Sequence, residues 1–144
     1  MGRPIRDFRD LGAWQCAMDL AIACADVCAE LPRFEAFVIE QLRHAANSVH
    51  ASIAEGNGRP TTPDYLRYLG TARSSLNEVR SHLFYVERRY PNIAAVKVAL
   101  DHAEKTSRPL QGLIKSLREK LYRERQRNSK TGEVNAQSAV ARAK

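Results

Sequence analysis

Glycine and proline are scarce in this chain, with 7 and 6 among 144 residues. Both disfavour helix interiors, proline by removing a donor and clashing with the preceding turn. Because most of them fall between helical patterns, long helices are expected. No run of 18 apolar residues occurs, so no helix is expected to span a membrane. The opening MGRPIRDF has no apolar core of the kind a secretory signal carries. No stretch alternates with period two over a useful length, which excludes an evident strand. The three cysteines, Cys16, Cys24 and Cys28, share one short segment, and an odd count argues against a disulfide framework. Cys24 and Cys28 stand at i and i+4 on one helix face, poorly placed to bridge. They read as reduced thiols packed as small hydrophobes in a cytoplasmic protein.

Catalytic and metal signatures are missing as well. The four histidines, at 44, 50, 82 and 102, show no repeated ligand spacing. Neither His-Glu-x-x-His nor Glu-x-x-His occurs; Glu40–His44 and Glu78–His82 are both i, i+4. No phosphate-binding glycine loop follows a strand. The cysteines lack a partner base and a second ligand pair. No enzyme activity, cofactor, metal or small-molecule substrate is therefore expected.

What is present is helical periodicity and an uneven charge. The net charge is +7. Residues 115–144 hold nine Lys/Arg against three acids, a net of +6, which leaves 14 bases against 13 acids in 1–114. The body is close to neutral and the C-terminal end is basic.

After a short polar arm over residues 1–9, the first helix is expected from about Asp10 to Ala29. Its polar residues Gln15, Asp19, Asp26 and Glu30 fall 4, 7 and 4 apart, a narrow stripe. The rest of its circumference is apolar, which predicts cover on more than one side, including a neighbouring subunit. Leu31-Pro32-Arg33 breaks the pattern. A second helix runs from about Glu35 to Glu55 with a stripe of Val38, Leu42, Ala45, Val49 and Ile53. It stops at Gly56-Asn57-Gly58, where a left-handed Gly56 is expected to end it. Thr62-Pro63-Asp64 reads as the next start, a hydroxyl cap followed by proline and an acid. Leu69, Ala72, Leu76, Val79, Leu83, Val86 and Tyr90 then step alternately by 3 and 4 as a heptad seam. The fourth segment repeats that spacing through Ile93, Val96, Leu100, Ala103, Ser107, Leu110, Ile114, Leu117 and Leu121. Pro109 sits inside it, so one kinked helix is expected. From Asn128 the composition predicts a disordered basic tail.

Four helices with short connections predict an all-α, up-down-up-down antiparallel four-helix bundle over residues 10–127. Two polar groups stand out against it. The first is the corner between the second and third helices, Gln41, Arg43, Glu55, Asn57, Arg59, Arg73 and Glu78. It reads either as a buried Gln-Glu-Arg hydrogen-bond network or as a recognition patch. The second is the basic end, Arg118, Lys120, Arg123, Arg125, Arg127 and Lys130. It reads either as a solvated helix terminus or as a phosphate-contacting surface for RNA or DNA. Tyr122 is its only interleaved aromatic, so base stacking on single strands is poorly supported.

Several of these stretches carry a resemblance. Phe8-Arg9-Asp10-Leu11 with Trp14-Gln15, Gln41-Leu42-Arg43-His44-Ala45-Ala46 with Ser48, Ile53-Ala54-Glu55-Gly56 with Gly58-Arg59, and Ala72-Arg73-Ser74-Ser75-Leu76-Asn77-Glu78 resemble a bacterial family. Its members were first noticed as open reading frames inside 23S rRNA intervening sequences. The match covers roughly residues 8–122, and Ser52 stands where the family often has Asn. That family is similar to the accessory protein of diversity-generating retroelements, a pentameric basic ring working with a reverse transcriptase. The resemblance implies a ring of bundles, five by analogy, with a nucleic-acid-linked role and no catalytic residues to carry over. The function expected is a non-enzymatic oligomeric adaptor that binds RNA or DNA through a basic surface. The alternative is a homo-oligomeric protein-interaction module without nucleic acid.

Overall fold

The computed structural model describes residues 4–143. Its four helices are α1 (Gly12–Glu30), α2 (Ala36–Asn57), α3 (Thr62–Arg89) and α4 (Ala95–Arg142), and no strand occurs among the described residues. Short 3-10 turns at Phe8–Asp10 and Arg33–Glu35 lead into α1 and α2. Each helix packs on two neighbours in the order α1–α2–α3–α4–α1, and the diagonal pairs do not meet. Short connections force successive helices to run antiparallel, so the molecule is a four-helix bundle.

The core follows the seams. Leu69, Ala72, Leu76, Val79, Leu83 and Val86 of α3 are all buried, and Tyr90 just past the helix end is half-buried. Leu20, Cys24 and Val27 from α1, Leu42, Val49 and Ile53 from α2, and Val96 and Leu110 from α4 meet them. On α4 the fully buried positions include Ala99 and Thr106, while Leu100 and Ser107 are half-buried. The buried face is therefore turned slightly from the expected seam. Thr106 donates from Oγ1 to the His102 carbonyl, 2.7 Å away, which satisfies the one hydroxyl in that layer. Three residues on, Pro109 is carried within α4, which runs through it as one helix.

The packing of α2 on α3 uses small side chains. Ala45, Ser52 and Gly56 of α2 are buried against α3, and Ser75 donates a 2.8 Å hydrogen bond to Ser48 across the seam. At the far end of α3, Glu35 is buried and accepts from Tyr85 OH at 3.1 Å and Tyr90 OH at 3.0 Å. The hydrogen bond to that carboxylate raises the Tyr85 pKa. Desolvation and then the same carboxylate raise that of Tyr90. The pair ties the α1–α2 connection to the α3 terminus.

On its outer face α1 carries Ile22, 58% exposed, beside exposed Asp19 and Asp26. One expectation changes. The segment from Asn128 is not an irregular tail; α4 continues to Arg142, and every residue from Arg125 to Arg142 is exposed. No proline follows Pro109, and nine of the seventeen residues from Asn128 are Ala, Gln, Lys, Arg or Glu, good helix formers. Composition lacking aromatics excludes a packed core there, but it does not exclude a helix.

The bundle and the extension should separate energetically. Leu83→Ala deletes a fully buried side chain and should destabilise by about 2–5 kcal/mol in chemical denaturation. A chain ending after Arg127 removes, among the described residues, only exposed ones and should lose less than about 0.5 kcal/mol.

Candidate functional site

The corner between α2 and α3 is built on a close approach. A Cβ placed on Gly56 would stand 2.8 Å from Tyr65 Cδ2 and 2.9 Å from Tyr68 Cβ. Gly56 lies within α2, and no described residue has positive φ. The expected left-handed Gly56 is thus corrected: glycine is needed here for space, not for its backbone angle. The helix ends at Asn57 and is capped by Gly58 at φ −83°, whose N–H bonds the Glu55 carbonyl at 3.2 Å while the Arg59 N–H bonds that of Gly56 at 3.1 Å. The cap of α3 also moves by one residue: it is Thr61 whose hydroxyl accepts the Asp64 N–H at 3.3 Å.

Around Gly56 sits a cluster of arginine and tyrosine. Asn57 donates from Nδ2 to Tyr65 OH at 3.3 Å, and burial raises the Tyr65 pKa, keeping the phenol neutral. Arg59 donates to Tyr68 OH and lies 3.7 Å from the Asp64 carboxylate. Arg67 reaches the same carboxylate at 2.8 Å. The guanidinium carbons of Arg59 and Arg67 stand 4.5 and 4.6 Å from the Tyr68 ring centroid. One acid thus serves two arginines, and both keep exposed edges; each exposed contact stabilises by only about 0.5–1 kcal/mol.

The seven residues grouped from sequence do not form one network. Asn57 and Arg59 lie at the corner. Glu55 is exposed on the last turns of α2. Gln41 and Arg43 stand near the other end of α2, with Gln41 about 22 Å from Gly56 along the axis at 1.5 Å per residue. Arg43 joins Arg33, Ala36, Ile39 and Glu40 there. Arg73 faces α4, sharing a shallow depression with Gln111, Lys115, Arg118 and Glu119. Glu78 is exposed on α3, 3.6 Å from His82. The buried Gln-Glu-Arg reading is therefore corrected, because helical rise spreads these residues along the bundle. Tyr65, Arg67 and Tyr68 were missed; the signal for them was the i, i+3 spacing of Asp64 with Arg67 and of Tyr65 with Tyr68.

The basic end lies beside this corner. Arg80 of α3 pairs with Glu104 of α4 at 3.4 Å, and the helices are antiparallel. Thr62 lies as far before Arg80 as Tyr122 lies beyond Glu104, so α4 passes the start of α3 near Tyr122. Beyond Glu124 every α4 residue is exposed. Arg125–Arg142 therefore projects roughly 27 Å past the bundle at 1.5 Å per residue. Arg118, Lys120, Arg123, Arg125, Arg127 and Lys130 are all exposed, and Lys120 lies 3.9 Å from Glu124. Arg59 and Arg67 sit at the same end, on the α2–α3 corner. The structure thus brings two basic groups to one end of the bundle.

Elsewhere little converges. Among the described residues no three His, Cys, Asp or Glu side chains form a group able to hold a metal ion, and no helix is long and apolar enough to cross a membrane. Desolvation pushes the Cys24 thiol up to about 12, and it raises that of Cys28 as well. An open groove of ≈ 770 Å³ is lined on α3 by Ser81, Phe84, Tyr85, Arg88 and Arg89. It lies toward the end of the bundle away from the basic extension.

Gly56→Ala should destabilise by about 1–3 kcal/mol, because its methyl has no room against Tyr65 and Tyr68. Gly58→Ala should stay within about 0.5 kcal/mol, since its Cβ meets only the Glu55 carbonyl at 3.6 Å. Equal effects in thermal melts would remove the close-approach account. The cysteines give a second check. In the folded protein near pH 8 a thiol reagent should label Cys16 first, the half-exposed one, with Cys24 and Cys28 released only by denaturant. Mass spectrometry of labelled peptides reads the order.

Among curated proteins none matches the chain. The family model described as 23S rRNA-intervening sequence protein matches residues 9–112, from the Phe8–Asp10 turn to α4 just beyond Pro109. The chain belongs to the 23S rRNA-intervening sequence protein family.

Proposed function

We propose that this protein is a non-enzymatic, cytoplasmic, homo-oligomeric adaptor that binds nucleic acid through its basic end. The observation that carries the reading is the projection of α4: a helix extension that buries nothing yet concentrates arginine and lysine beyond the bundle. Stability does not require those side chains, since they pack on no core. Arg59 and Arg67 at the corner extend the positive field across the bundle end, with Asp64 as their shared counter-charge. Phosphate neutralisation by such residues is sequence-tolerant and falls steeply with salt.

Assembly is supported by faces the monomer leaves open. α1 contains no lysine or arginine, and exposed Ile22 stands among Asp19, Asp26 and Glu30. On α3, Phe84 and Tyr85 are exposed beside Arg88 and Arg89, and Phe34 (75% exposed) and Phe37 (71%) flank Glu35. An acidic apolar face and a basic aromatic face on opposite helices suit a head-to-tail contact that closes into a ring. Five subunits follow from the family resemblance. A ring would present several basic ends to one nucleic acid, so weak contacts would act together.

Replacing Arg123, Arg125, Arg127 and Lys130 with Gln should leave helicity and oligomeric state unchanged. It should lower affinity for nucleic acid by about tenfold or more at 50 mM salt and flatten the dependence of affinity on salt. Equal binding by this variant would reduce the end to a solvated terminus. Light scattering should report a mass several times the 16.2 kDa of one chain; a monomer at micromolar concentration would remove the ring.

A further inference from the structure

We propose that the end of α4 from Arg123 onward, most of it projecting past the bundle, enters the major groove of B-form duplex DNA, with Arg125 toward one phosphate wall and Arg123, Arg127 and Lys130 toward the other. The inference rests on the nucleic-acid reading above and names its ligand. It begins from where the cations stand around the helix. At about 100° per residue, Arg123, Arg127 and Lys130, spaced by four and three, share one side. Arg125 stands nearly opposite Arg123, and Arg118 opposite Arg127. A helix lying on a flat anionic surface needs its cations on one side only, with apolar residues on the other. Here the cations straddle the axis, and exposed Val134 and Val140 lie on different sides. A membrane surface is poorly served by that arrangement. A groove with a phosphate ridge on each side is well served by it.

The dimensions decide which groove. A helix with its side chains is about 10–12 Å across, and the major groove of B-form DNA is about 12 Å wide and 8.5 Å deep. The A-form major groove of duplex RNA is deep and too narrow for side chains to read. Between Lys130 and Arg142 the projecting helix is thin at many positions: Gly132, Ala136, Ser138, Ala139 and Ala141 are all small and exposed. Small residues let the axis approach the groove floor while the arginines reach outward. The extension, about 27 Å long, is free on all sides, so no part of the bundle blocks entry.

The test compares ligands on the intact protein. Fluorescence anisotropy would measure binding to a DNA duplex, an RNA duplex of the same sequence and a single DNA strand, each about two helical turns long, at about 50 mM salt. The DNA duplex should bind at least about tenfold more tightly than the RNA duplex. Ser129→Pro then breaks the extension while keeping every charge. It should lower DNA-duplex affinity to the level of the RNA duplex, with circular dichroism and melting showing an intact bundle. Equal binding of the three ligands, tighter binding of RNA, or a preference that survives Ser129→Pro overturns groove entry and leaves the basic-end reading standing. No binding to any of them overturns both.

Discussion

At Gly56 the α2 backbone comes so near to α3 that a hydrogen atom is all that fits against Tyr65 and Tyr68. The rest of the corner depends on that approach. It brings the Tyr65 phenol within reach of Asn57 and sets Tyr68 where two guanidiniums can stack on it. Those contacts place Arg59 and Arg67 around Asp64 rather than along the bundle wall. The same economy runs up the seam through Ser52, Ser48 and Ala45, where small side chains on α2 let α3 lie close. Tight packing there sets where α3 begins, and the start of α3 determines how much of α4 is left without a neighbour.

The two ends of the bundle consequently have different chemistry. The corner end gathers exposed arginines and the α4 extension. The opposite end holds a buried carboxylate, Glu35, shared by Tyr85 and Tyr90, with Phe34 and Phe37 exposed on either side. Exposed charge is screened beyond about 8–10 Å at ordinary ionic strength. The basic end is therefore felt locally, by a ligand already at that end, and the aromatic end lies far outside its field. The acidic and aromatic surfaces and the basic end are thus separate surfaces of one bundle, and a ligand at one would not compete with a ligand at the other.

The fold was largely legible in the sequence because hydrophobic periodicity reports burial directly. The α3 seam from Leu69 to Val86 is buried position for position, and the helix boundaries near Leu31, Gly56–Pro60 and Pro91 follow the breakers that mark them. What the sequence concealed has physical causes. Periodicity gives the direction a side chain faces but not how far along the axis its partner lies, so it groups Gln41 and Arg43 with a corner about 22 and 20 Å away at 1.5 Å per residue. A glycine signals either an unusual backbone angle or a close neighbour, and only the position of Tyr65 and Tyr68 distinguishes them. Low hydrophobicity after Asn128 forbids a core but leaves local helix propensity unopposed. The narrow polar stripe of α1 calls for more cover than one chain supplies, and Ile22 lies on the part of that face the single chain leaves open.

The register between α3 and α4 links these points. Residues that must bury themselves are constrained by packing, and on α4 that constraint ends near Leu121, the last half-buried leucine. Past it, neither core volume nor a facing seam dictates side-chain type. A purely solvated helix end would be satisfied by charges of either sign, and pairs of opposite charge at i, i+4 would stabilise it most. Between Arg123 and Lys130 the segment instead carries four cations and one acid, Glu124, which lies toward Lys120. Such an excess repels itself along the helix. The repulsion is relieved when a polyanion lies alongside, and the relief grows with each phosphate neutralised. A polyanion placed alongside would therefore make the helical extension more favourable electrostatically than it is in the protein alone.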